Sequence, residues 1–219
     1  MKKIIAIDGP SASGKGTLSR RLAEKLNFAH MDTGALYRFV GYTVLQRGGE
    51  PSDKNEAIEA AEFCRDYFSP DLLNNPDLRL DETGQAASKV AVVPKVRKAL
   101  LDLQKNFAAN PGAGYEEAVL DGRDIGTVIC PDAPLKLFVT ASEEVRAERR
   151  TKELQSKGLD VTYRAVLEDM RARDARDSAR EAAPMKAASD AVTIDSSDLN
   201  ADQMLALALE YATKAFGES

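Results

Sequence analysis

Ile4-Ile5-Ala6-Ile7-Asp8-Gly9-Pro10-Ser11-Ala12-Ser13-Gly14-Lys15-Gly16-Thr17 decides how the rest of this chain is read. A run of β-branched residues ends at Asp8, and Gly9 and Gly14 frame a short loop. Leu18, Leu22 and Leu26 then recur at helical spacing, so the stretch predicts strand, loop and helix in that order. A loop of this form turns successive backbone N–H groups inward, and the positive end of the next helix points at the same spot. Its natural guest is a polyphosphate. Lys15 supplies the point charge between the outer phosphates, and the Thr17 hydroxyl one further donor. Gly16 stands where the standard loop carries the serine or threonine that ligates magnesium, and Thr17 is displaced by about 100° around the helix. The metal is therefore expected to be held elsewhere, through water, by carboxylates.

The rest of the composition suits one α/β domain. The chain has 219 residues, 43% hydrophobic and 30% charged, which argues against disorder and membrane spans. The apolar run after Lys2 and Lys3 breaks at Asp8, too early for a signal peptide, so a cytoplasmic protein is expected. Cys64 and Cys130 are too far apart for a clustered zinc site and too few for a disulfide scaffold, and both read as plain thiols. A formal net charge of −5 argues against binding a nucleic acid polymer. His30 is the only histidine, which excludes a catalytic triad and a multi-histidine metal site, and it reads as structural.

Four further strands are expected, at Phe28–Asp32, Glu117–Asp121, Leu135–Thr140 and Ala191–Ile194, alternating with helical segments. Asp32-Thr33 caps a helix that ends at Gly48-Gly49. The stretch from 50 to 110 is the least patterned. It predicts a helix near Asn55–Tyr67, turns through Thr83-Gly84, an edge strand at Leu78-Arg79-Leu80-Asp81, and a long helix opened by Pro94. In that last helix Val96, Leu100, Leu103 and Phe107 form the apolar face, with Arg97 on another face beside Lys95 and Lys98. Asp121 ends a buried strand beside the phosphate loop, where a magnesium-water ligand would sit. Between Val145 and Arg180 lie eight arginines. Asp169 with Arg173, and Arg173 with Asp177, have the spacing of solvated helix pairs, whereas the group as a whole suits neutralisation of phosphate charge. Gly158 offers this arm a hinge.

These pieces together resemble the bacterial cytidylate kinases, within the nucleoside monophosphate kinase family of P-loop proteins. The resemblance runs from Ile4 to about Phe216. It rests on Ile7–Ser11 leading into Gly14–Thr17, on Met31-Asp32-Thr33-Gly34-Ala35-Leu36-Tyr37-Arg38, on Asp121–Val128 with Pro131-Asp132-Ala133, and on Arg173-Asp174-Ala175-Arg176-Asp177 with Arg180. It implies a P-loop NTPase fold, with a five-stranded parallel sheet and helices on both faces. It further implies a single kinase domain with core segments 1–49, 111–150 and 181–219, an inserted monophosphate-binding region at about 50–110, and a short lid at about 151–180. The activity implied is transfer of the γ-phosphoryl group of ATP to CMP or dCMP with Mg2+, by a monomer. Gly9, Pro10, Ser11, Ala12, Ser13, Gly14, Lys15, Gly16, Thr17 and Arg149 would bind ATP. Thr33 stands where the family commonly has serine and would bond the cytosine, with Arg97, Asp177 and Arg180 as further base and sugar contacts. Arg38 and Arg123 would hold the acceptor phosphate, Asp124 the pentose or base edge, and Arg173 and Arg176, with Arg149, the transferring group. Kinases of the same fold acting on UMP, AMP or shikimate, a P-loop switch and an inactive nucleotide-binding module are the rival readings. A switch usually keeps the hydroxyl directly after the lysine, and a GTPase would carry an Asn-Lys-x-Asp motif, which is absent.

Overall fold

In the computed structural model, residues 2–112 and 114–217 are described. The elements run β1 (Ile4–Asp8), α1 (Lys15–Leu26), β2 (Ala29–Asp32), α2 (Thr33–Gln46), α3 (Lys54–Asp66), α4 (Asp81–Val90), α5 (Pro94–Ala109), β3 (Ala118–Gly122), β4 (Leu135–Thr140), α6 (Glu143–Ser156), α7 (Tyr163–Ser178), β5 (Val192–Asp195) and α8 (Ala201–Phe216). The five strands form one parallel sheet in the order β2-β3-β1-β4-β5, so the expected α/β fold is the one found. Ile7 is in register with Asp121 on one side and with Leu137 on the other. That register brings the ends of β1 and β3 together, and with them the two carboxylates that precede loops. Among the described residues no helix is long and apolar enough to cross a membrane.

The chain divides into two compact units, Met1–Met31 with Asn110–Ser219, and Asp32–Ala109. In the first, Ile5, Ala6 and Ile7 are all fully buried, so both faces of β1 are covered, as a central parallel strand requires. Ile5, Ile7, Val119, Leu137 and Val139 pack with Leu18 and Leu22 of α1 and Met204 and Ala208 of α8. A separate small cluster joins Ala147 and Leu154 of α6 to Val166 and Met170 of α7, and Ala12 of the phosphate loop leans on it.

The second unit is built on α2, which packs against α3 and α4, while α5 packs on α3. Three expectations for it are corrected. The edge strand at Leu78–Asp81 is instead a 3₁₀ turn, Pro76–Arg79, followed by the start of α4. The Asn75 side chain accepts the Asp77 N–H, and Asp81 and Glu82 occupy the favourable first turn of a helix. The Leu-x-Leu alternation there only distinguishes buried Leu78 from Leu80, which is 53% exposed. Thr83-Gly84, read as a turn, lies within α4, whose buried stripe of Thr83, Ala86, Ala87 and Val90 is too small in side-chain volume to stand out as a periodic pattern. Arg97 does not lie on a face apart from Val96 and Leu100: the buried stripe of α5 is Val96, Arg97, Leu100, Gln104 and Ala108, with Leu103 and Phe107 only half-buried. Cys64 is enclosed in α3, and burial pushes its thiol up to about 12, which makes it inert as expected.

Candidate active site

The loop between β1 and α1 is shaped by two backbone requirements. Gly9 has φ +146, and a Cβ there would collide with the Val139 carbonyl, so only glycine passes the end of β4. Ala12 and Gly14 are both left-handed, with φ 57 and 87, which turns their neighbouring N–H groups to a common side. Helix α1 starts at Lys15 with no side-chain cap and no acidic residue in its first turn, so its positive end is left for an anion. The buried hydroxyl oxygens of Ser11 and Ser13 find no hydrogen-bond partner among the described residues. Lys15 is 9% exposed and folds back across the loop, its Nζ donating to the Pro10 carbonyl at 3.0 Å. Left-handed turns, an uncapped helix start, two buried hydroxyls and an ammonium are thus gathered within one short loop, the set of groups a polyphosphate needs.

Two residues that sequence reasoning passed over hold this loop from behind. The Ser196 hydroxyl, fully buried after β5, donates to the Ser13 carbonyl at 2.8 Å. Arg149 clamps the same residue, donating to Ser196 Oγ at 2.9 Å and to its carbonyl at 2.6 Å. Arg146, 5% exposed, donates to the carbonyls of Ala141 and Ser11 and pairs with Asp174 of α7 at 2.5 Å. No sequence signal marks Ser196, and Arg146 is indistinguishable from its neighbours in the arginine run. Beside the loop, Gly14, Thr17, Leu18, Arg149, Leu199 and Met204 are among the residues lining a cavity of about 250 Å³. Thr17 is exposed toward it and not enclosed in the loop.

The carboxylates at the strand ends have different partners. Asp8, 4% exposed, accepts the N–H groups of Ile125 and Gly126, each at 2.8 Å, and so fastens the π-helical turn Ile125–Ile129 to the root of the phosphate loop. Burial pushes its carboxyl up to about 6, against those two hydrogen bonds, with nearby Asp124 adding to the rise. Because the folded value exceeds the ordinary 3.8, the stability contributed by Asp8 grows as pH falls through 6 and levels off near 3.8. The gain is about 3 kcal/mol at 1.36 kcal/mol per unit. A carboxyl 13C titration of Asp8 is expected to show a midpoint near 6; a midpoint near 4 would contradict this account. Asp121, at the end of β3, accepts from or shares a proton with His30 Nε2 at 2.8 Å through Oδ2. A Cβ added at Gly16 would lie 4.0 Å from Asp121 Oδ1, so this carboxylate faces the position where the standard loop carries its hydroxyl.

Arg123, Asp177 and Arg180 come together. Asp177 Oδ2 receives Arg123 Nε at 3.1 Å, and its Oδ1 lies 2.9 Å from Arg180 Nη2. Burial alone would raise the Asp177 carboxyl, but the guanidinium groups of Arg123, Arg180 and Arg173 hold it below its usual value. This corrects the reading of Arg173 and Asp177 as a solvated pair: Asp177 is 3% exposed. Asp124 is buried next to Arg123 at the start of the π-helical turn, while Arg173 and Arg176 are half-buried on α7. The bland part of the arginine run lies elsewhere, in the exposed pairs Arg164 with Glu168 and Arg171 with Glu143.

In the second unit, Thr33 is buried at the start of α2. One turn on, Arg38 donates to the Leu78 carbonyl at 3.1 Å, and Gly84 leaves room for its fork, since a Cβ there would stand 3.0 Å from Nη1. Arg97 lies over the ring of Tyr37, 5.2 Å from its centroid.

The sequence profile of the family described as cytidylate kinase matches residues 5–214. This chain belongs to the cytidylate kinase family. Among its relatives, the cytidylate kinase of Paramagnetospirillum magneticum is 58% identical over 95% of this chain and 97% of the relative. That of Rhodospirillum rubrum is 56% identical over 94% and 95%. An uncharacterized protein of known structure from Eubacterium ventriosum has the same fold, with a TM-score of 0.54, 16% identity and coverage of 98% of this chain and 99% of the other. The family profile begins within β1 and ends near the close of α8, so it takes in the phosphate loop, the Arg123–Asp177–Arg180 group and the second unit alike.

Proposed function

We propose that this member of the cytidylate kinase family transfers the γ-phosphoryl group of ATP to CMP or dCMP, giving ADP and the diphosphate. The observation that carries the reading is an uncapped helix start behind an inward-turned loop, with a buried arginine–carboxylate group next to the loop's root: Arg123 and Asp124 both act electrostatically on Asp8. Lys15, the loop from Gly9 to Thr17 and Arg149 take the triphosphate, and the 250 Å³ cavity takes the adenosine. Thr33 and Arg97 read the base, Arg38 and Arg123 hold the acceptor phosphate, and Asp124, Asp177 and Arg180 complete the contacts to base and sugar. Arg173 and Arg176, on the α6–α7 arm proposed as the lid, serve the transferring group. The proposal also takes the enzyme to be a cytoplasmic monomer with its monophosphate-binding region within the second unit.

Magnesium fits this arrangement as an ion carried in with ATP. Among the described residues no group of three or more side chains could cage a metal, while Asp121 faces the first turn of α1. Asp121 would hold the ion through water, and the ion would add positive charge at the phosphates. The chain's own residues do the remainder. A phosphate oxygen of CMP is already a nucleophile at neutral pH, so no general base is required. Positioning by Lys15 and the arginines, and spreading of charge onto their fixed forks, carry the catalysis. Water is the competing acceptor, and closure of the α6–α7 arm over bound nucleotides would keep it out.

Turnover measured with CMP, dCMP, UMP and AMP at equal concentration tests the proposal. CMP and dCMP are expected to be the best acceptors. Preference for AMP would overturn the roles of Thr33 and Arg97, and no ATP consumption with CMP would overturn the function. Ser196→Ala removes the hydroxyl shared by Ser13 and Arg149. At about 1 kcal/mol for such a bond, KM for ATP is expected to rise roughly fivefold with KM for CMP unchanged. Equal rises in both would place the serine's effect outside the ATP side.

A further inference from the structure

His30 is the only histidine in the chain, and it stands on β2, beside β3 in the sheet. Its strand neighbours Ala29 and Met31 are buried in the core, whereas its own side chain is 24% exposed and reaches across to the end of β3. There its Nε2 lies 2.8 Å from Asp121 Oδ2. The other carboxylate oxygen, Oδ1, is the one that faces the first turn of α1, 4.0 Å from where a Cβ at Gly16 would be. An aspartate carboxyl turns easily about its last torsion, whose energy well is broad and two-fold. A hydrogen bond to one oxygen removes that freedom and commits the other to a single direction.

We infer that His30 is a positioning residue for the divalent cation that accompanies the triphosphate: by gripping Oδ2 of Asp121 it aims Oδ1 at the water shell of that ion. The inference rests on Asp121 as the water-mediated carboxylate of the metal. Its physical reason is the missing hydroxyl at Gly16. A loop that lacks the hydroxyl at that position leans on the carboxylate facing it, and a carboxylate acting through water gains most from being held still, because the water must be met at one angle by both partners. A purely structural His30 would affect folding stability and leave the metal alone.

Mn2+ serves as the probe, titrated by electron paramagnetic resonance into the full chain saturated with a non-hydrolysable ATP analogue. His30→Leu and His30→Phe, which keep apolar bulk and lose the donor, are expected to weaken Mn2+ binding about tenfold, the lower end for losing the partner of a metal-ordering group. His30→Gln, which restores an N–H donor, is expected to return to within about twofold. Affinity for the analogue without metal should be the same in every variant. Mn2+ binding unchanged in both His30→Leu and His30→Phe would overturn the inference, as would a loss that His30→Gln does not restore. Asp121→Asn separates the levels. If it weakens Mn2+ binding while the histidine variants do not, the inference falls and the role of Asp121 stands; if it also has no effect, both fall.

Discussion

Lys15→Ala is expected to lower kcat by about 10²–10³-fold, the cost of removing one preorganised charge aimed at a developing anion. The fold should survive. Lys15 donates to the Pro10 carbonyl, but the loop's shape is set independently by Gly9 against Val139 and by Ser196 and Arg146 from behind. Steady-state rates with saturating ATP and CMP, beside a thermal melt, check both halves. Lys15→Arg should not rescue the rate, because a planar fork cannot replace a compact ammonium within a loop that closes back on itself. A variant with near-normal turnover would refute the role given to the lysine and, with it, the location of the triphosphate.

Asp177→Ala has the largest effect expected on stability. Its carboxylate is 5% exposed and lies between Arg123 and Arg180, whose side chains are 15% and 4% exposed. Deleting it leaves two guanidinium groups enclosed without their counter-charge, at a cost of about 3–5 kcal/mol. For a chain of this size that corresponds to roughly 10 °C in Tm. The carboxyl is held below the ordinary 3.8, so its stabilisation is fully present above pH 4 and is lost as pH falls through the lower folded value. Melts of the two proteins should therefore differ most at neutral pH and converge in strong acid. A difference that stays constant across that range would mean the loss is one of packing, not charge. KM for CMP should rise in the same variant, since Arg123 loses the partner that orients it.

How legible the molecule was in its sequence depended on whether the signal was local. A phosphate loop is local: Gly9, Gly14 and Lys15 are fixed by backbone geometry within a dozen residues, and the strands around it are apolar runs that only a covered parallel sheet accepts. The five strands and the helix beginning at Lys15 could be read from order and spacing for that reason. The second unit was less legible. Its helix α4 buries alanines and a threonine, which carry little periodic signal, and its 3₁₀ turn imitates a strand because two leucines separated by one residue suit both.

What only the tertiary structure decided is the pairing of groups far apart in the chain. Nothing in the order of residues joins Ser196 to Ser13, Asp8 to the N–H groups of Ile125 and Gly126, or His30 to Asp121. The arginine run shows the division most clearly. Sequence counted eight arginines and supplied a chemical reason for them. Only the packing separated Arg180, closed in against Asp177, from Arg164, paired with Glu168 in open solvent. The physical reason is that a charge is given its work by the surroundings that remove water from it, and those surroundings are assembled from strands and helices distant in sequence.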